Sequence, residues 1–140
     1  MIKVLEKAGC TVTYNSRQTC CGQAAFNAGY WEESKAVCQK FISDFNGSDP
    51  IVAPSASCVG FVKNYYSRLF DNSSLHHEVQ EMKLRIFEFS SFLCHQIGVT
   101  QFGARLSGLA TYHDSCAGLR ECGIKEEPRK LLKNVGGLEL

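Results

Sequence analysis

The chain has 140 residues, about the length of one domain, and is 44% hydrophobic and 21% charged. A net charge of +1 excludes the broad basic field of a nucleic-acid-binding protein and the acidic tract of a solvated tail. No apolar run approaches the ~20 residues of a membrane-spanning helix, and the N-terminus lacks the apolar core of a secretory signal. We therefore expect a cytoplasmic protein with no membrane span and no nucleic-acid partner.

The first third of the chain predicts a helix, a strand and then a cysteine pair. Apolar residues recur with helical spacing over residues 2–8, and Gly9 is a typical helix stop. Residues 10–14 alternate and are β-branched, which predicts a short strand. A polar loop then leads into Cys20, Cys21 and Gly22.

The middle of the chain predicts three helices around a buried strand. One amphipathic helix is expected over residues 31–46, and a second begins near Cys58 and runs to about residue 66. Between them Ile51-Val52-Ala53 is a short apolar run, typical of a buried parallel strand. Apolar residues at three- and four-residue steps predict one long helix over residues 75–97.

The last third of the chain repeats the order of strand, cysteine and helix. Residues 109–112 are predicted to be a strand and lead directly to Cys116, residues 126–134 are predicted to be a helix, and residues 138–140 resemble the start of another strand. This alternation predicts an α/β fold with a mostly parallel sheet covered by helices. Because sites in such sheets form at the carboxyl ends of the strands, we expect Cys20-Cys21, Cys58 and Cys116 on one rim.

Eight cysteines are many for a cytosolic chain of this size. An oxidised secreted scaffold is disfavoured, because amphipathic helices already supply a core. Adjacent cysteines are poor partners for a mutual disulfide, yet they can offer two sulfurs to a metal or a cluster. A buried or zinc-binding thiol pair is the alternative. Cys38 and Cys94 lie on or beside apolar helical faces and are expected to fill the core.

Three separated motifs resemble one family. Residues 20–30 read Cys-Cys-Gly-Gln-Ala-Ala-Phe-Asn-Ala-Gly-Tyr, residues 53–58 read Ala-Pro-Ser-Ala-Ser-Cys, and residues 112–116 read Tyr-His-Asp-Ser-Cys, followed by Glu-Glu-Pro-Arg-Lys-Leu-Leu at 126–132. This order resembles the cysteine-rich CCG-domain family, which includes the iron–sulfur subunits of lactate-utilisation and glycolate oxidase complexes and the B subunit of heterodisulfide reductase. The resemblance runs over nearly all of the chain.

The resemblance implies an iron–sulfur cluster of the 4Fe–4S type. Carried over, Cys20, Cys21 and Cys58 would be ligands in a first copy of the motif, and Cys116 would open a second copy. Neither Ser55 nor Phe61, three positions on either side of Cys58, completes the family's Cys-x-x-Cys pair. The first copy's opening cysteine would lie upstream of the chain, and the second Cys-Cys-Gly downstream. We therefore expect a first domain over residues 1–105, lacking its N-terminal strand, and the truncated beginning of a second over residues 106–140.

The function implied by the resemblance is electron transfer in a complex that oxidises a 2-hydroxy acid, either L-lactate or glycolate. The chain would be an oxidoreductase subunit, inactive alone, whose partners are the other subunits of that complex. One alternative is a thiol–disulfide role like that of heterodisulfide reductase. Another is a metal-free or zinc-binding interaction module, if the truncated chain holds no cluster. A sheet edge left without its neighbouring strand would also permit a homodimer.

Overall fold

A computed structural model describes all residues, 1–140, as short strands connected by helices. The helices are α1 (Ile2–Lys7), α2 (Gln23–Asn27), α3 (Trp31–Asp44), α4 (Ala56–Phe70), α5 (His76–Arg85), α6 (Phe89–Ser91), α7 (Cys116–Cys122) and α8 (Glu126–Lys133), with a π-helical segment at Phe92–Ile97. The strands are β1 (Ile51–Ala53), β2 (Ile86–Glu88), β3 (Arg105–Leu109) and β4 (Gly136–Glu139). None of the helices is both long enough and apolar enough to cross a membrane.

The strands form two parallel pairs, which confirms the predicted α/β class. β1 pairs with β2, with Ile51 opposite Ile86, and β3 pairs with β4. Parallel neighbours require a crossover connection; α4 and α5 connect the first pair, and α7 and α8 connect the second. The sheets are smaller than expected and separate, so the cysteines that follow β1 and β3 do not lie on the rim of one sheet.

The main hydrophobic core lies where α3, α4 and α5 meet the first strand pair. Tyr66 at its centre is fully buried and packs edge-on against Phe61, with 5.5 Å between the ring centroids. Val79 of α5 and Ile86 of β2 complete this core from the other side. The cysteine-bearing turns are therefore anchored on a large apolar cluster. A smaller core joins α1 to the π-helical segment.

The predicted strand over residues 10–14 is wrong. This segment follows the predicted first helix, α1, but pairs with no other strand. Val12 packs against the smaller core and Tyr14 is exposed. β-branched alternation shows that residues suit a half-buried pleated surface, but a strand also needs a neighbouring backbone. The Cys-Cys-Gly turn is therefore delivered by an irregular segment.

The long helix predicted over residues 75–97 is also wrong. The structure interrupts it after Arg85 with β2, and the Glu88 carboxylate then accepts hydrogen bonds from the N–H groups of Ser90 (2.9 Å) and Ser91 (3.1 Å). This cap starts the short helix α6, which continues into the π-helical segment. At residues 86–88, pairing with β1 therefore replaces the hydrogen bonds that a continuous helix would make.

The remaining predicted elements are displaced or confirmed. The strand predicted at residues 109–112 lies earlier, as β3. The helices predicted at 31–46 and 126–134 are found as α3 and α8, and α4 extends further than expected, to Phe70. β4 begins before the strand start predicted at residues 138–140 and covers it only as far as Glu139.

Candidate cysteine site

Cys58 lies in the first turn of α4, directly after β1. Ser55 is the N-cap residue, and its hydroxyl accepts a hydrogen bond from the Cys58 backbone N–H at 3.4 Å. The Ser55 and Ser57 hydroxyls lie 3.0 Å apart and add further polar groups beside this turn. Because unpaired N–H groups and the helix dipole favour a negative charge at a helix N-terminus, this position suits a thiolate.

The Cys-Cys-Gly turn places its two cysteines differently. Cys20 is exposed and its sulfur accepts a hydrogen bond from the Gly22 N–H at 3.4 Å, whereas Cys21 is buried. Gly22 has φ +90°, in the left-handed region that glycine adopts without steric cost. A Cβ at Gly22 would lie 2.8 Å from the Cys38 sulfur. The turn therefore requires glycine for both its backbone and its packing.

Two separate segments bring Cys21 and Cys58 together. Cys21 belongs to the main core cluster and Cys58 packs against that cluster. The interaction of the two thiols raises the pKa of Cys21 and lowers the pKa of Cys58 to about 6. Burial of Cys21 raises its pKa further, and the Ser55 and Ser57 hydroxyls help to lower that of Cys58. Cys58 is therefore the more acidic thiol of the two.

The carbonyls of the turn are held by buried donors. The Tyr66 hydroxyl donates to the Cys21 carbonyl at 2.8 Å, and the Cys38 thiol donates to the same oxygen at 3.4 Å. The Ser34 hydroxyl donates to the Gly22 carbonyl at 2.9 Å. Cys38 lies in the core as predicted, but sequence reasoning missed Ser34 and Tyr66. The four-residue spacing of Ser34 and Cys38 on one helical face was the only available signal.

Cys116 occupies a different position from the Cys21–Cys58 pair. It is exposed at the start of α7, a helix that was not predicted, after the N-cap residue Ser115. α7 packs along α4, where the Cys122 thiol donates to the Ala56 carbonyl at 3.3 Å. The structure shows no hydrogen bond between Cys116 and Cys20, Cys21 or Cys58.

The loop before Cys116 is held by an ion pair. Both guanidinium nitrogens of Arg129 donate to the Asp114 carboxylate, at 2.6 and 2.7 Å, and the guanidinium lies 5.3 Å from the centre of the Tyr112 ring. These hydrogen bonds hold the pKa of Asp114 below its usual range. α8 therefore fixes the segment that carries Cys116.

The donor set fits an iron–sulfur cluster in chemistry but not in number. Cys58 packs against the core cluster that contains Cys21, and Cys20 is on the same turn as Cys21, so the available donors are all cysteine sulfurs, as such clusters prefer. No three or more Cys, His, Asp or Glu side chains are grouped closely enough to hold a metal ion as the chain stands. The ligand roles of Cys20, Cys21, Cys58 and Cys116 remain predictions.

A cysteine-bearing helix start beside a Cys-Cys-Gly turn, on a strand–helix scaffold, defines a cysteine-rich α/β domain. Residues 1–63 match the family model for CCG, a cysteine-rich domain.

Curated relatives resemble the chain along its whole length. It is 42% identical over 142 residues to lactate utilization protein A 1 of Bacillus mycoides, covering 100% of this chain and 58% of the relative. It is 37% identical over 138 residues to lactate utilization protein A of Oceanobacillus iheyensis, covering 99% of this chain and 57% of the relative. It is 40% identical over 140 residues to the uncharacterized protein YkgE of Escherichia coli, covering 99% and 59%. The chain thus spans less than two thirds of these relatives, and no solved structure matches it.

Proposed function

We propose that the chain is the cysteine-rich part of an iron–sulfur electron-transfer subunit that serves lactate utilisation. The observation that carries the proposal is that Cys58, at the start of α4, packs against the core cluster that contains Cys21 of the irregular turn. The relatives named lactate utilization protein A supply the substrate class. Oxidation of L-lactate to pyruvate is the expected reaction of the whole complex, and glycolate is the alternative 2-hydroxy acid.

In this proposal Cys20, Cys21 and Cys58 are cluster ligands, and Cys116 belongs to a second site. A bound 4Fe–4S cluster would supply one-electron redox chemistry. The protein residues would do the rest. The start of α4 stabilises the Cys58 thiolate, and burial of Cys21 limits the access of water to the sulfurs. Residues 1–105 would form one cysteine-rich unit and residues 106–140 the beginning of another.

Partners and compartment belong to the same proposal. All eight cysteines are free thiols, a state that the cytoplasm maintains. The other subunits of the oxidising complex would accept or deliver the electrons. Self-association would use the edge of the β3–β4 pair, where Leu106 and Leu109 are exposed. Light scattering that finds only monomers across a concentration series would contradict this self-association.

The test of cluster binding is iron and sulfide analysis of the whole chain after anaerobic purification. We expect iron and acid-labile sulfide in the wild-type chain and their loss in Cys21→Ser and Cys58→Ser. Cys94→Ser is the matched control, because Cys94 is half-buried on the π-helical segment and the one hydrogen bond of its thiol goes to the Glu127 carbonyl, at 3.8 Å. Zinc in place of iron, or no metal at all, would instead support the interaction module.

A second candidate function is a thiol–disulfide redox role of the heterodisulfide reductase kind. The specific observation in its favour is that Cys58, whose pKa is lowered, packs against the cluster that contains the Cys21 thiol, because a thiolate near a thiol is suited to disulfide exchange. Dye reduction assays with candidate partner subunits separate the two functions. Lactate-dependent reduction supports the first, and heterodisulfide-dependent turnover supports the second.

A further inference from the structure

Two buried hydroxyl groups hold successive carbonyls of the Cys-Cys-Gly turn. Tyr66 of α4 donates to the Cys21 carbonyl at 2.8 Å, and Ser34 of α3 donates to the Gly22 carbonyl at 2.9 Å. Both side chains are completely buried, at 0% exposure. The turn is therefore attached to two different helices through two neighbouring peptide groups.

The buried hydroxyl groups need these hydrogen bonds as much as the turn does. A buried hydroxyl without a partner loses the hydrogen bonds it makes to water. The Cys21 carbonyl is the hydrogen-bond acceptor of the Tyr66 hydroxyl, and the pKa of Tyr66 is raised chiefly by burial, so the group remains a donor. Fixing the Cys21 and Gly22 carbonyls also fixes the planes of the two peptide groups that follow Cys21.

We propose that Tyr66 and Ser34 are positioning residues of the cysteine site, which hold the Cys-Cys-Gly turn and keep Cys21 in the packed cluster that Cys58 adjoins. This inference rests on the proposed function, because it gives the two hydroxyls a role in presenting a ligand. Removing a group that orients the ligands of a metal site commonly lowers the metal affinity by about 10- to 100-fold. Neither hydroxyl needs to touch the metal for this effect.

The first measurement is the binding of Co²⁺ to the whole chain, followed by the thiolate-to-cobalt absorption band. We expect Tyr66→Phe to weaken Co²⁺ binding by about tenfold or more, and Ser34→Ala to act in the same direction. Tyr65→Phe is the matched control. Tyr65 is the neighbouring residue on α4, and its hydroxyl donates to Glu121 at 3.3 Å instead of to the turn. Its Co²⁺ affinity should be unchanged.

The second measurement needs no metal. In a glutathione buffer, one glutathione disulfide oxidises the Cys21 and Cys58 thiols to a disulfide and is itself reduced to two glutathione molecules. Peptide mapping then gives the effective concentration of the two thiols for each other. We expect Tyr66→Phe to lower it about three- to tenfold, the effect of losing one hydrogen bond, while Tyr65→Phe leaves it unchanged.

The outcomes separate the two ideas. If the wild-type chain binds no Co²⁺, the proposed function fails, and the glutathione equilibrium alone decides the positioning role. Equal behaviour of Tyr66→Phe and Tyr65→Phe in that equilibrium would overturn the inference. The same would follow if Leu93→Ala, which weakens the smaller core without touching the turn, lowered the effective concentration as much as Tyr66→Phe. An effective concentration of the two thiols that falls in Tyr66→Phe and Ser34→Ala, but not in the control variants, supports the inference.

Discussion

Replacing Gly22 by alanine tests the geometry of the cysteine turn most directly. The added methyl group would meet the Cys38 sulfur at 2.8 Å and the Ser34 carbonyl oxygen at 3.1 Å. Cys38 is completely buried and Ser34 is held within α3, so neither neighbour can move aside easily. The substitution should therefore cost both backbone strain and overpacking.

The expected magnitude follows from these two contributions. An alanine at φ +90° adopts the left-handed conformation, which costs about 1–2 kcal/mol. Inserting a methyl group into a filled core costs about 1–3 kcal/mol. We therefore expect Gly22→Ala to lower the free energy of unfolding by about 2–5 kcal/mol in total.

Gly29→Ala is the matched control and isolates the packing contribution. Gly29 also has a left-handed backbone, with φ +84°, but an added Cβ would meet nothing within 4 Å. It should cost only the strain, about 1–2 kcal/mol. Urea unfolding of the metal-free chain measures both variants, provided that the dependence on urea keeps its wild-type slope.

The difference between the two glycine variants is the decisive quantity. We expect Gly22→Ala to be less stable than Gly29→Ala by about 1–3 kcal/mol. A difference below about 0.5 kcal/mol, the range of substitutions without a specific structural effect, would refute the close packing of the turn against α3.

Three further predictions concern charge and packing elsewhere. Because the pKa of Cys58 is lowered to about 6, its alkylation by iodoacetamide in the metal-free chain should reach half its maximal rate near that pH; a midpoint near the ordinary cysteine value of about 8.5 would contradict this. The pKa of Asp114 is held down by Arg129, so this pair contributes stability at neutral pH that is lost as the pH falls through the folded-state pKa. Urea unfolding at neutral pH and below about pH 3.9 measures how much stability the chain loses on acidification. This loss should be smaller in Arg129→Gln than in the wild-type chain, and an equal loss would argue against the pair. Gly60→Ala should destabilise the chain despite the gain of about 1 kcal/mol in helix propensity, because its Cβ would lie 2.5 Å from that of Glu121; a variant more stable than wild type in urea would show that α7 does not pack closely on α4.

The position of Cys58 could be predicted from local sequence alone. An apolar run, Ile51–Ala53, is followed by Ser55, a good N-cap residue, and Cys58 falls three residues later. These signals act over a few residues and do not depend on the rest of the fold. The expectation that the cysteine follows a buried strand and begins a helix is therefore confirmed.

The predictions that failed depended on distant partners. Residues 10–14 had strand character but found no neighbouring backbone, and residues 75–97 had helical spacing but contain β2. The interruption is only three residues long, and Ile86 within it is buried like the helical residues before it. The spacing of apolar residues therefore could not reveal the break, because only pairing with Ile51–Ala53 distinguishes it.

By itself the sequence determined the set of available thiols, the glycine that permits the Cys-Cys-Gly turn, and the helix start that favours a thiolate at Cys58. These depend on residue type and on neighbours in the chain. Only the tertiary structure decided that Cys58 packs against the cluster that contains Cys21, that Cys116 lies on a separate helix, and that Tyr66 and Ser34 hold the turn. The physical reason is that these contacts join residues far apart in the chain, whose approach is set by the packing of α3, α4 and α7.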